Sequence, residues 1–396
     1  MANGSERKRA LVVAPRVSVP DQQLFRSFFV AGFECATHRR RDGARVDSIS
    51  AQQHDLFAAS DYLLARQHGL LTARDGLRWH LIEPEPGRYD WSSWLPMLRA
   101  ARDAGVQVIW DLWHYGTPDW LDVFSPAFPE RLAAFARAAA ELHRSELDAA
   151  PWWCPLNEIG FFSFIAGEVP EFHPYATGRA WELKRQLARA GIAASDAVRA
   201  VDPRARLIWC EPAINVLPDN DGADAREAAR RRHESQYEAF DMLSGRLCPE
   251  LGGRADVLDV VGLNFYPHNQ FTPDGGTIPL GHCHWRPFAE LLEAAWARYR
   301  RPLFVSETGA ENCGRAAWLH YVCGEVEDAI GSGVPVGGLC WYPVTDYPGW
   351  DNGRLCPTGL FSSPDAQGRR SVHPRLTREL RRQQEVFEPA ALRVAA

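Results

Sequence analysis

The chain is short of several features that would each point to a class of protein. No stretch approaches the ~18 consecutive apolar residues that a bilayer-spanning helix needs, so no membrane partner is expected. Basic residues are in the minority: 44 Lys and Arg against 50 Asp and Glu leave a formal charge of −6. That leaves no basic surplus to hold nucleic acid. The nine cysteines are odd in number and scattered, so a disulfide framework is not expected. Cys154, Cys210 and Cys340 fall inside strand-like runs, where a free thiol packs as a small hydrophobe. The N-terminal stretch MANGSERKRALVVAPRVSVP begins basic, but its apolar run stops after about four residues, too few for a secretory core. The expectation is a soluble, cytoplasmic protein. No low-complexity linker interrupts the chain after Phe25, and no Gly-rich phosphate loop follows the first candidate strand.

What is present is a sizeable apolar fraction, 46% against 24% charged residues, ordinary for a globular core. Aromatic side chains are plentiful, with 15 Trp, 19 Phe and 10 Tyr. About half of the indoles are expected to be core filling; the others offer flat platforms for the C–H faces of sugars. Residues 1–23 are polar with early prolines and are expected to be flexible. Residues 24–396 read as one domain.

Eight short apolar runs alternate with amphipathic stretches. The runs are FFVAGFECA (28–36), LLTARDGLRW (70–79), VQVIWDLWH (106–114), WWCPLNE (152–158), RLIWCEP (206–212), LDVVGLNFY (258–266), LFVSET (303–308) and VGGLCWYPV (336–344). Near-continuous apolar strands separated by helices imply a parallel sheet covered on its outer face. Eight such units favour an α/β architecture closed into a (β/α)8 TIM barrel over an open, doubly wound sheet.

In such a barrel the reactive groups stand at the C-terminal strand ends. Those ends supply Glu34 and His38, Arg78, His114, Asn157 with Glu158, Glu211, Asn264 with Tyr266, Glu307, and Trp341. Carboxylates gathered there with an arginine are costly unless they pair or do chemistry. Two carboxyls across a barrel mouth suit glycoside hydrolysis, one protonated to serve the leaving oxygen and one ionised to attack. Glu158 is the expected acid and Glu307 the nucleophile. Arg78 is expected beside Glu307, keeping it ionised, with Tyr266 aiming it and Asn157 holding a sugar hydroxyl next to the reacting carbon.

On these residues the chain resembles the retaining (β/α)8 glycoside hydrolases, closest to family 1, the β-glucosidases and β-galactosidases. PLNEIG and VSETGAEN match the acids after strands four and seven, which lie 149 residues apart. GLRWHLIEPEPGRYDW, DLWHYGTPDWL, VVGLNFYP and CWYPVTDYPGWDNG extend the likeness over roughly residues 28–361. The resemblance implies catalytic Glu158 and Glu307, with Arg78, His114, Asn157, Asn264, Tyr266 and Trp341 around the sugar, and double displacement without a cofactor. It also implies carboxyls about 5–5.5 Å apart. The sequence departs from that pattern in two places. GFECATHRR supplies Glu34 and His38 where the family has Gln-x-Glu-Gly. Gly349 stands where a sugar-binding Glu is usual, with Asp346 or Asp351 as substitutes.

Other readings compete. His282, Cys283 and His284 sit together with His268 upstream, but no fourth ligand has customary zinc spacing, so no metal is expected there; the Gly281–Pro287 loop is expected to decorate the cleft entrance. The chain lacks the His-x-His that would make His114 a metal ligand. The run His38–Arg45 reads as a solvated loop at the barrel mouth. Glu34 and Glu211 could bind substrate or cap structure. A transglycosidase would share the covalent intermediate, and a carbohydrate-binding pseudoenzyme would share the barrel without turnover. The expected partner is a small carbohydrate or glycoside; the sequence leaves the sugar, the aglycone and the oligomeric state open.

Overall fold

The computed structural model describes residues 24–350 and 352–388. Eight parallel strands close into one barrel: β1 (Phe29–Gly32), β2 (Thr72–Gly76), β3 (Gln107–Asp111), β4 (Trp152–Cys154), β5 (Arg206–Pro212), β6 (Val260–Asn264), β7 (Leu303–Thr308) and β8 (Val336–Trp341). Each pairs with its neighbours in sequence, and β1 closes against β8 with Phe29 opposite Leu339. All eight expected strands are present. Most are shorter than the apolar runs, because the C-terminal parts of those runs leave the sheet to form the barrel rim.

Between the strands run α1 (His54–Gln67), α2 (Leu95–Ala104), α3 (Phe128–Glu146), α4 (Ile159–Gly167), α5 (Ala180–Val201), α6 (Ala223–Glu234), α7 (Glu238–Leu243), α8 (Phe288–Tyr299) and α9 (Arg315–Gly331), with α10 (Pro374–Phe387) after β8. Among the described residues, no helix is long and apolar enough to cross a membrane. The expected N-terminal flexible segment lies outside the described residues.

Strand alternation sorts the side chains into two layers. Val30, Ile109, Trp152, Cys154, Ile208, Cys210, Val260, Phe304 and Cys340 face inward as one buried cluster. Trp110, Trp153 and Trp209 face outward and are roofed by helices as part of the main core. Phe25 stops the bottom of the barrel, its ring 4.9 Å from that of Trp152 and 4.8 Å from that of Phe304; burying such a ring contributes roughly 1.5–3 kcal/mol. Nine of the fifteen tryptophans are buried, close to the expected share of core filling. The polar groups therefore concentrate at the opposite, C-terminal rim.

Candidate active site

A cavity of about 660 Å³ opens at that rim, and both Glu158 and Glu307 line it. Glu307 reaches it through a change of register. Val261 pairs with Leu303 and Gly262 with Phe304, but Asn264 pairs with Glu307, so β7 carries one extra residue. The bulge re-aims two adjacent side chains to the same side. Ser306 donates to Asn264 Oδ1 at 2.6 Å, while Glu307 Oε1 accepts from Arg74 at 2.7 Å and Oε2 from Tyr266 at 2.9 Å.

The arginine beside Glu307 is thus Arg74, and the expectation for Arg78 is corrected. β2 ends at Gly76; Arg74 lies inside it on the inward-facing parity, whereas Arg78 lies beyond the strand and heads the short helix Trp79–Ile82. Arg78 turns away to Asp55 at 2.8 Å and Asp47 at 3.3 Å. Arg74 is fully buried and also grips Asp111 with two bonds, Nε to Oδ1 at 3.0 Å and Nη2 to Oδ2 at 2.7 Å. Its Nη2 donates further to Asn157 Oδ1 at 2.7 Å.

Asn157 is engaged by the protein. Its Nδ2 donates to Tyr115 Oη at 3.0 Å and faces His114 Nε2 at 3.1 Å. His114 Nδ1 meets Asp111 Oδ2 at 2.9 Å; a carboxylate only accepts, so Nδ1 carries a proton. His114 and Asn157 are both buried and tied to each other and to Arg74. Cys35, Asp111 and His114 place possible metal donors close together, but Arg74 already occupies both Asp111 oxygens and supplies the positive charge. The donor set suits a guanidinium and not a metal ion. His282, Cys283 and His284 are exposed on their loop.

Glu158 stands at the start of α4 with a left-handed backbone, φ 45°, and Tyr115 has φ 72°. Non-glycine residues take this conformation at a cost, and such positions gather at functional sites. The two side chains meet: Tyr115 Oη donates to Glu158 Oε2, and Asn264 Nδ2 donates to Oε1 at 2.7 Å. Burial raises the Glu158 pKa to about 7, and repulsion from Glu307 adds to the rise. Tyr115 was not among the sequence candidates. It follows His114 directly, and its place beyond the end of β3 hid it from strand parity.

The remaining candidates divide. Glu34 lines the cavity, accepts from Ala36 N at 3.0 Å, and has its pKa raised by burial. Glu211 lines it as well while capping α4, accepting from Gly160 N at 2.9 Å. A Cβ at Gly160 would stand 2.6 Å from Glu211 Oε2, so a larger residue here would push the carboxylate off its cap. Burial raises the Glu211 pKa to about 8.

His38 is displaced from its expected role. It stacks on Phe172 at 3.8 Å behind Trp350 and is held neutral, its pKa lowered to about 3 chiefly by burial. Trp341 is corrected too: it falls on the outward parity of β8, packs in the main core and donates Nε1 to Thr358 O at 3.0 Å. Its neighbour Tyr342 faces the cavity in its place. Asp346 is taken up by Gly359 N at 2.8 Å and Arg315 at 3.5 Å; Asp351 lies outside the described residues. The arginines of the 38–45 loop pair with surface carboxylates, Arg39 with Asp119 at 2.6 Å and Arg41 with Glu171 at 3.2 Å.

No protein-family model matches the sequence, and no curated protein matches it. Solved structures do. The chain is similar to the β-glucosidase of Thermotoga maritima in complex with glucoimidazole, at TM-score 0.74 and 16% identity over 90% of this chain and 97% of that one. It is similar to the AHE enzyme of Alicyclobacillus herbarius, at TM-score 0.75 and 19% identity over 94% and 99%. The fold is that of the family 1 β-glucosidases. On this barrel the two glutamates stand at the C-terminal ends of β4 and β7, and Glu34 and Gly349 fall on the rim loops.

Proposed function

We propose that the protein is a retaining β-glycoside hydrolase acting by double displacement. The observation that carries this reading is a pair of carboxyls on one cavity with opposite surroundings. Glu307 is bound by the Arg74 guanidinium and the Tyr266 hydroxyl. Glu158 is buried and has its pKa raised to about 7, which keeps a proton available near neutrality.

Glu307 attacks the anomeric carbon while Glu158 protonates the departing oxygen, so the glycosidic bond breaks as the Glu307–sugar ester forms. Glu158, now ionised, takes a proton from water, whose oxygen displaces Glu307 and returns the free carboxylate. Arg74 and Tyr266 aim the nucleophile and supply countercharge without reorganising. Asn157 fixes Tyr115, His114 and Arg74 in one network, so its part is to position the acid and the arginine as a unit. The substrate is a small glycoside, which fits a cavity of about 660 Å³.

The test is a panel of nitrophenyl β-glycosides: glucoside, galactoside, mannoside, fucoside and xyloside. Turnover of at least one is expected, and Glu307→Gln should remove nearly all of it while preserving the fold. Glu158→Ala should spare the first step on such activated substrates and respond to azide, which needs no base to attack. Equal losses on activated and unactivated glycosides without azide rescue would contradict the acid/base role.

A further inference from the structure

In barrel order, β7 adjoins β8, which closes against β1, while β4 adjoins β5. The Glu307 end of the cavity therefore meets Glu34, Tyr342 and Tyr347, and the Glu158 end runs under α4, α5 and α6. On the glycosidase reading the acid serves the leaving group, so this second arm receives the aglycone. Its walls include Phe161, Phe164, Ile214 and Phe271, apolar enough for a ring.

One charged group in the arm is unusual. α6 carries three successive arginines; Arg230 and Arg231 face solvent and pair with Glu227 at 2.8 and 3.7 Å. Arg232 turns into the cavity instead, its guanidinium 4.0 Å from the centroid of the Phe164 ring. It has no hydrogen-bonded or ion-paired side chain among the described residues. Glu238 acts on it electrostatically, but that carboxylate is bound at 2.5 Å by Lys184, which also lines the arm. Glu211, the other acid here, holds its proton at neutral pH because it is buried. Two cations thus share one anion beside apolar walls, and a half-buried guanidinium left without a carboxylate is a strong donor awaiting an acceptor.

We propose that the arm binds an aromatic aglycone bearing a carboxylate, with Arg232 pairing to that carboxylate and Phe161 and Phe164 covering the ring. The inference rests on the glycosidase reading for the word aglycone, and its test does not need turnover.

Calorimetric titration with 4-hydroxycinnamate and with its methyl ester compares charge at nearly constant shape. The acid should bind about tenfold more tightly than the ester, the size of a charge-assisted hydrogen bond, and the preference should shrink in high salt. Arg232→Met should bring the acid-to-ester ratio to near one, and Arg232→Lys should retain part of it. Equal binding of acid and ester, no binding of either, or a preference that survives Arg232→Met would overturn the proposal. Acid-selective binding with no turnover of any nitrophenyl glycoside would instead sink the hydrolase reading and leave the anion site standing.

Discussion

Tyr115 is where a single hydroxyl sets the chemistry. It donates to Glu158 Oε2 and so favours the ionised acid, opposing the burial that raises the pKa to about 7. In the proposed mechanism the protonated acid is the active form for the first step, so kcat/KM on a poor leaving group should fall as pH rises through about 7. Tyr115→Phe keeps the ring, which stacks on Phe162 at 5.6 Å, and deletes the hydroxyl, which donates to Glu158 and accepts from Asn157. The alkaline limb of its kcat/KM profile should move to higher pH, because the charged form has lost a partner. A limb that stays in place or moves down would show that Tyr115 does not act on Glu158.

Strand β2 shows how an element decides which arginine matters. Arg74→Met strands Asp111 and Glu307 as buried carboxylates, and breaking such a pair costs about 3–5 kcal/mol; denaturant melts should register that loss, and turnover should vanish. Arg78→Met removes the bonds to Asp55 and Asp47, which lie off the cavity, and should leave kcat near that of the parent. The reverse ranking would reinstate Arg78. Only part of this was legible in the sequence. The eight apolar runs fixed the barrel, and Glu158, Glu307, Asn264 and Tyr266 followed from counting strand ends. Arg74 was hidden because the strand stops at Gly76, before the apolar run does, so counting from the end of the run selected Arg78. Trp341 failed on parity, one residue from the inward-facing Tyr342. The bulge that turns Glu307 inward has no local signature, since it arises from pairing between two strands distant in sequence.

The molecule as a whole holds protonated acids in its cavity, and this ties stability to pH. Glu211 is raised from 4.5 to about 8 in the fold by burial. Between those values the native chain keeps a proton that the unfolded chain has lost, so stability is full below about 4.5 and declines as pH rises through about 8. Glu158 adds in the same direction. Glu211→Gln keeps an acceptor for Gly160 and removes the titration; its melting temperature relative to the parent should climb between pH 5 and pH 8, reflecting at least about 1 kcal/mol. A difference independent of pH would mean that Glu211 is ionised in the fold.

The proposed mechanism turns on one carboxylate, Glu307, forming a bond to sugar. The direct measurement is to treat the protein with a 2-deoxy-2-fluoro-β-glycosyl donor carrying a dinitrophenyl leaving group, using the sugar whose nitrophenyl glycoside is turned over, and to map the adduct by peptide mass spectrometry. One fluoroglycosyl group on the peptide containing Glu307, absent from Glu307→Gln, is the predicted result. An adduct on any other residue, or none while that nitrophenyl glycoside is still hydrolysed, would contradict it.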